Sequence, residues 1–233
     1  MLLSKTEDLA YKEIKKQGFT VFRIKDLKLL LHLDRTKTYN LIKALKKKGA
    51  IKKLNGSFAV ADAEDFSIGT SLHYPSYISF WSALNYYGWS DQTPKKIFLA
   101  TTVYSKDIAS FKYVTIGKKK FFGYTKIGEF PIAEKEKALI DSILFPKYAG
   151  GMREIKTSLK SSVKELNKDK LIYYAFKVGS RAVIRRLGFL LEGIGYKKID
   201  KLKKNIGKGY ELLDPSLKKK NKLNKTWLLD INW

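Results

Sequence analysis

Two short β-prone runs, Ile51-Lys52-Lys53-Leu54 and Ser57-Phe58-Ala59-Val60, meet at Asn55-Gly56. A two-residue link of this kind requires positive φ at both positions, which asparagine and glycine tolerate, so the pattern predicts a β-hairpin. What precedes it narrows the fold further. Ser4 and Glu7 have capping-box spacing and open a helix over about Lys5 to Gln17, with Leu9, Ala10 and Ile14 inward and Gly18 as its stop. Phe19 to Phe22 reads as extended. Ile24 to Leu31 reads as a second helix with Leu27, Leu30 and Leu31 apolar. Asp34 is a good N-cap for a third helix from Arg35 to about Lys48, ended by Gly49.

At 100° per residue this third helix has two unlike sides. Thr38, Leu41, Ile42 and Leu45 share one; Thr36, Asn40, Lys43 and Lys47 share the other, with Tyr39 and Lys46 beside them. Three helices followed by a hairpin predict a winged helix-turn-helix over residues 1–65. In that arrangement the third helix enters the major groove of double-stranded DNA, where asparagine reads adenine edges and lysines meet phosphates or guanine. The candidate DNA-binding residues are Arg35, Thr36, Lys37, Tyr39, Asn40, Lys43 and Lys47 on the helix, with Lys52, Lys53 and Asn55 on the wing. An ordinary solvated face is the competing explanation for the lysines, and winged helices also mediate protein contacts.

Composition sets the class of partner. The 233 residues carry 47 Lys+Arg against 22 Asp+Glu, a formal charge of +25, which points to a polyanion and to nucleic acid before membrane. The absence of cysteine excludes disulfides, zinc ribbons and thiol nucleophiles, and two histidines, His32 and His73, argue against a His-rich metal site. No cofactor and no metal are expected. The start, Met1 to Asp8, lacks a signal-peptide apolar core. The most apolar stretch, Tyr77 to Trp89, is shorter than the roughly 20 residues needed to cross a bilayer, so a cytoplasmic protein is expected.

Residues 66–233 predict a larger α+β domain. Ala61 to Tyr74 reads as a connector. Pro75-Ser76 opens a helix from about Tyr77 to Tyr87, with Tyr77, Phe80, Trp81, Leu84 and Tyr87 as a core stripe and Ser79, Ser82 and Tyr86 opposite. Strand-like runs follow at Lys96–Thr102, Phe111–Ile116 and Phe121–Lys126, with a turn at Gly117 to Lys120. Arriving in series, they suggest an antiparallel sheet. A helix from Ile132 to Leu144 places Glu136 in the middle of its apolar face and Glu134, Lys137 and Asp141 on its polar side. Glu136 therefore needs a partner, either as a catalytic carboxylate or, the simpler reading, as half of a structural pair. Further helices fall at about Arg153–Ser161, Lys168–Val178 and Arg181–Glu192, the last with Arg181, Arg185 and Glu192 outward. The lysine-rich tail from Tyr196, which includes Lys218-Lys219-Lys220, ends in Trp227-Leu228-Leu229. It is expected to be part edge strand and part mobile.

Taken together, these motifs resemble the AbiEi-type antitoxins of abortive-infection toxin–antitoxin systems. The likeness runs through the winged-helix start, Tyr77-Ile78-Ser79-Phe80-Trp81-Ser82-Ala83-Leu84, Thr93-Pro94 and Ile97-Phe98-Leu99-Ala100-Thr101. It continues through Phe122-Gly123-Tyr124, the segment from Ala133 to Asp141 and the segment from Arg186 to Glu192, covering roughly residues 5 to 195. The resemblance implies an N-terminal domain that binds operator repeats in its own promoter and represses the operon. It also implies a C-terminal domain that neutralises a nucleotidyltransferase-type toxin without a stable complex, and no enzymatic activity. The lysine-rich tail has no counterpart in it. A stand-alone winged-helix regulator is the nearest alternative; an RNA-binding regulator would use the same charge. A fused nuclease or nucleotidyltransferase is a further one. Against it, Gly179-Ser180 is followed by Arg181-Ala182-Val183, without the paired aspartates a nucleotidyltransferase needs, and the nuclease-like cluster of Glu134, Glu136 and Lys137 is weakened by its helical placement and a missing paired acid.

Overall fold

In the computed structural model, which describes residues 2–233, the N-terminal segment forms α1 (Lys5–Lys16), β1 (Val21–Phe22), α2 (Ile24–Leu30), α3 (Arg35–Lys47), β2 (Ile51–Leu54) and β3 (Ser57–Val60). Local chemistry places each of them. Ser4 and Glu7 close a reciprocal capping box at the start of α1, with Ser4 N donating to Glu7 Oε2 at 2.6 Å. Asp34 accepts the Lys37 amide at 2.8 Å at the start of α3, and Gly49, at φ +71°, follows its end. Asn55 and Gly56 both have positive φ, and the hairpin pairs Ile51 with Val60 through to Leu54 with Ser57. β1 adds antiparallel to β3, giving the order β1-β3-β2. Ala10, Ile14, Leu27, Leu41, Ile42, Leu45, Ile51, Phe58 and Val60 form one hydrophobic cluster. Each fully buried aliphatic side chain there stabilises by about 1.5–3 kcal/mol. Leu9, expected to point inward, is instead exposed, because only the side of α1 carrying Ala10 and Ile14 meets α3.

The rest of the chain runs α4 (Asp65–Leu72), β4 (Ser76–Ile78), α5 (Phe80–Tyr86), β5 (Ile97–Thr101), β6 (Lys106–Ile108), β7 (Phe111–Thr115), β8 (Tyr124–Ile127), β9 (Phe130–Ala133) and α6 (Lys135–Leu144). It continues with α7 (Gly151–Ser162), α8 (Lys168–Val178), α9 (Arg181–Gly193), α10 (Asp200–Lys203), β10 (Glu211–Leu212), β11 (Leu223–Asn224) and β12 (Leu229–Asp230). The chain is α+β. Its main sheet has six strands in the order β6-β7-β5-β4-β9-β8.

That sheet is mixed, not antiparallel: β5/β7 and β4/β9 run parallel, and the other three pairs antiparallel. Two strands hide where helix was expected. Tyr77 and Ile78 belong to β4 in the middle of the sheet, and α5 starts only at Phe80, so the aromatic stripe is split between a strand and a helix. Phe130–Ala133 is β9, and α6 begins after it. The expected connector contains α4, which lies close under β7: a Cβ on Gly69 would come within 2.8 Å of the Phe111 ring, and Tyr113 donates to Gly69 O at 2.6 Å.

The second hydrophobic cluster unites this sheet with α4 to α10 and the tail. It also takes Ala59 from β3, whose neighbours Phe58 and Val60 belong to the first cluster. Among the described residues no helix is long and apolar enough to cross a membrane.

The tail departs most from expectation. β12 sits in the middle of its own small sheet, between β10 and β11, instead of at an edge. Trp227 is fully buried against Gly188 of α9 and donates its indole N–H to Glu192 at 2.8 Å. Arg185, expected outward, is 1% exposed: its guanidinium binds Ile206 O at 2.7 Å and Lys208 O at 2.9 Å and faces Glu211 at 3.4 Å. Arg186 binds Leu212 O and Ile143 O, each at 3.1 Å. The two arginines thus satisfy carbonyls of a tail that covers them. A Cβ on Gly188 would lie 2.0 Å from Trp227 Cζ3, whereas Gly193 on the same helix has open space around it. Gly188→Ala should therefore cost about 3 kcal/mol by displacing the indole, and Gly193→Ala should change stability by less than about 1 kcal/mol. Urea unfolding of the two variants, followed by tryptophan fluorescence, checks the contrast.

Candidate nucleic-acid interface

Residues 35 to 60 contain eight lysines and arginines and no carboxylate. The fold sorts them. Leu41, Ile42, Leu45 and Thr38 turn inward, Thr38 also tying its hydroxyl to Asp34 O at 2.7 Å. Arg35, Thr36, Lys37, Tyr39, Asn40, Lys43 and Lys47 are all exposed on α3. On the hairpin, Lys53 and Asn55 are exposed, while Lys52 is half-buried and paired with Asp65 of α4 at 3.0 Å. Lys37 reaches back to Asp34 at 3.6 Å, and Lys48 pairs with Glu7. Among the described residues Arg35, Lys43, Lys47 and Lys53 have no carboxylate partner. The Arg35 guanidinium lies over the Tyr39 ring, 5.7 Å from its centroid. One helix face and a hairpin tip thus present an amide, a hydroxyl, a phenol and unneutralised cations. These groups suit base edges and phosphates respectively. Asp34 is held below its usual range, chiefly by the Lys37 amide, so its charge at the helix start persists in mild acid.

The acid cluster on α6 has a different character. Glu136 is buried, as its place in the apolar face required, and its partners are the Asn167 amide at 2.9 Å and Lys170 at 3.5 Å. Glu134 accepts from Tyr174 and pairs with Lys170 at 3.1 Å. Burial acts to raise the Glu134 carboxyl, but the bonds from Tyr174 and Lys170 outweigh it and hold the group below the ordinary 4.5.

Lys137 and Asp141, expected on the solvated side of α6, are both fully buried and paired with each other. Lys137 also donates to the Tyr77 hydroxyl at 2.9 Å, and Asp141 accepts from Tyr77 at 2.9 Å and from Ser79 at 2.8 Å. Phe122 closes over the ammonium at 4.9 Å, and Phe121 and Tyr124 pack on Tyr77. Burial, and then the neighbouring Asp141, push the Tyr77 hydroxyl well above its usual range. This is a closed, fully satisfied polar knot with no face open to a substrate. The i,i+4 spacing of Lys137 and Asp141 was its only mark in the sequence, and the same spacing is common on solvated helices. Among the described residues no group of three His, Cys, Asp or Glu side chains could hold a metal ion.

The chain is thus an α+β protein with a helical N-terminal unit that displays a cationic face. No family model matches it, and no curated protein does. Among solved structures it is similar to the RV2827C protein from Mycobacterium tuberculosis, at 11% identity and a TM-score of 0.67, over 98% of this chain and 92% of that one. That likeness extends the shared fold across nearly the whole length.

Removing one partner of the buried pair strands the other. Asp141→Ala should cost about 3–5 kcal/mol, and the double change Lys137→Met with Asp141→Leu should recover most of it. Denaturant unfolding of both reads the difference. For Glu134, a depressed carboxyl stabilises fully above pH 4.5 and loses that contribution as pH falls through its lower folded-state value. Glu134→Gln should therefore flatten the fall in melting temperature below pH 4.5.

Proposed function

We propose that this protein is a DNA-binding regulator of the AbiEi antitoxin type. Its N-terminal unit acts as a winged helix-turn-helix, with α3 as the recognition helix and the hairpin of β2 and β3 as the wing. The observation that carries the reading is the exposed face of α3: Thr36, Asn40, Lys43 and Lys47 share one side of a helix whose other side is wholly core. Asn40 offers a donor and an acceptor one turn from Thr36, in the part of the helix that reads bases, while Lys43, Lys47 and Lys53 stand ready for phosphates. Lys52 contributes less, because Asp65 already neutralises it. In the same reading the larger domain neutralises a nucleotidyltransferase-type toxin, without a stable complex, and the N-terminal unit represses the operon encoding both. The basis for this second half is the resemblance of the motifs in residues 77–101, 122–141 and 186–192.

The test uses fluorescence anisotropy with a duplex from the protein's own upstream region and a random duplex. Asn40→Ala should lower the preference for the operator more than it lowers general duplex affinity, because base contacts specify and phosphate contacts position. Lys47→Ala should weaken both duplexes alike and reduce the slope of log affinity against log salt by about 0.9. Lys52→Ala should move the slope less. Both the Asn40 and Lys47 variants should still suppress toxicity when co-expressed with the toxin, since neither touches the second hydrophobic cluster. Equal loss on operator and random duplex from Asn40→Ala, with no slope change from Lys47→Ala, would sink the recognition-helix assignment.

A further inference from the structure

The tail builds a second cationic surface, remote from α3 in the sequence. Arg153, Lys156 and Lys160 recur at i, i+3 and i+7 along one side of α7. Across from them the tail lays Lys218, Lys220 and the indole of Trp233. Two adjoining concavities result, of about 480 and 400 Å³, and Arg153 and Trp233 line both. No carboxylate side chain lines either, and among the described residues none of these five cations forms an ion pair with an aspartate or glutamate. Lys156 Nζ lies 5.2 Å from the centroid of the Trp233 ring, and Lys220 donates to Trp233 O at 3.1 Å.

The arrangement is held in place by buried groups. Asp214 accepts the Met152 amide of α7 at 2.8 Å. Asn232, also buried, accepts from Asp214 N at 2.9 Å and donates to Asp214 O at 2.7 Å and Leu217 O at 3.1 Å. Lys218 and Trp233 each adjoin one of these anchored residues, so the backbone that carries them is set against α7 before any ligand arrives, which cuts the ordering cost of binding.

We infer that this groove binds a single-stranded nucleic acid, with phosphates on Arg153, Lys160 and Lys218 and one unpaired base on Trp233 in the place of the Lys156 ammonium. Like charges gathered with no aspartate or glutamate among them repel one another, and a polyanion relieves them. The concave shape and the indole select the kind of polyanion. A duplex turns its bases inward and offers this surface only phosphates, whereas a single strand fills a concavity and stacks on an aromatic face.

The whole protein is titrated against a fluorescent ten-nucleotide single-stranded RNA, with an RNA duplex of equal length as competitor. Arg153→Glu with Lys160→Glu, both at exposed positions on α7, should weaken strand binding at least tenfold and lower its salt slope, by about 0.7 for each phosphate left unneutralised. Operator-duplex binding should not change. Trp233→Ala should weaken strand binding about tenfold with the slope unaltered, and Trp233→Phe should restore most of it. Lys47→Ala should leave strand binding intact, which separates this site from α3. Strand binding that survives the double reversal, or that a duplex competes as well as the strand itself, overturns the inference.

Discussion

The ion pair between Lys137 and Asp141 is the interaction around which the larger domain is arranged. Two charges with no exposure to water persist only when every donor and acceptor is met, since each stranded charge would cost several kcal/mol. The partners come from separated parts of the chain: Tyr77 from β4, Ser79 from the junction with α5, and the ring of Phe122 from the loop before β8. Meeting them fixes where α6 lies against the sheet and where α5 begins. The loop closes tightly at Gly123, at φ +67°, where a Cβ would lie 3.0 Å from the Tyr174 ring and 3.3 Å from the Lys137 side chain. A larger residue there would lift the aromatic cover from the ammonium.

What the sequence disclosed follows a physical rule. α3 and the hairpin were legible because local groups decide them: Asp34 capping Lys37, the inward stripe from Thr38 to Leu45, and Asn55-Gly56 at positive φ. β4 and β9 were not. Each is short, each abuts a helix, and their residues carry a helical stripe as readily as a strand pattern, so tertiary pairing with β5 and with each other overrides the local signal. Arg185 and Lys137 failed for another reason. A charged residue on the side of a helix opposite its apolar stripe reads as solvated until a distant segment covers it. Here residues 206–212 cover Arg185, and the loop at 121–124 covers Lys137. The candidate residues on α3 were visible because nothing later in the chain folds over them.

The net charge of +25 is therefore distributed with some order. Acidic residues are spent on caps and on bridges between elements, as with Glu7 to Lys48, Asp65 to Lys52 and Glu192 to Lys203. Long stretches of α3 and α7 are left without any. Such regions create potentials that draw polyanions from a distance and are weakened by salt.

β3 carries a consequence for how such a protein can evolve. Phe58 and Val60 face one core and Ala59 the other, and Val21 and Leu54 on the flanking strands also touch the larger cluster. The N-terminal head, proposed above to read DNA, is thus no detachable cassette. Exchanging it for an unrelated head would bring a new residue to the site of Ala59, which is wholly buried in a close-packed seam. Substitutions can accumulate on the outer face of α3, and with them changes in the proposed DNA preference, while this seam stays constant. The head's specificity is free to drift as its seat is not.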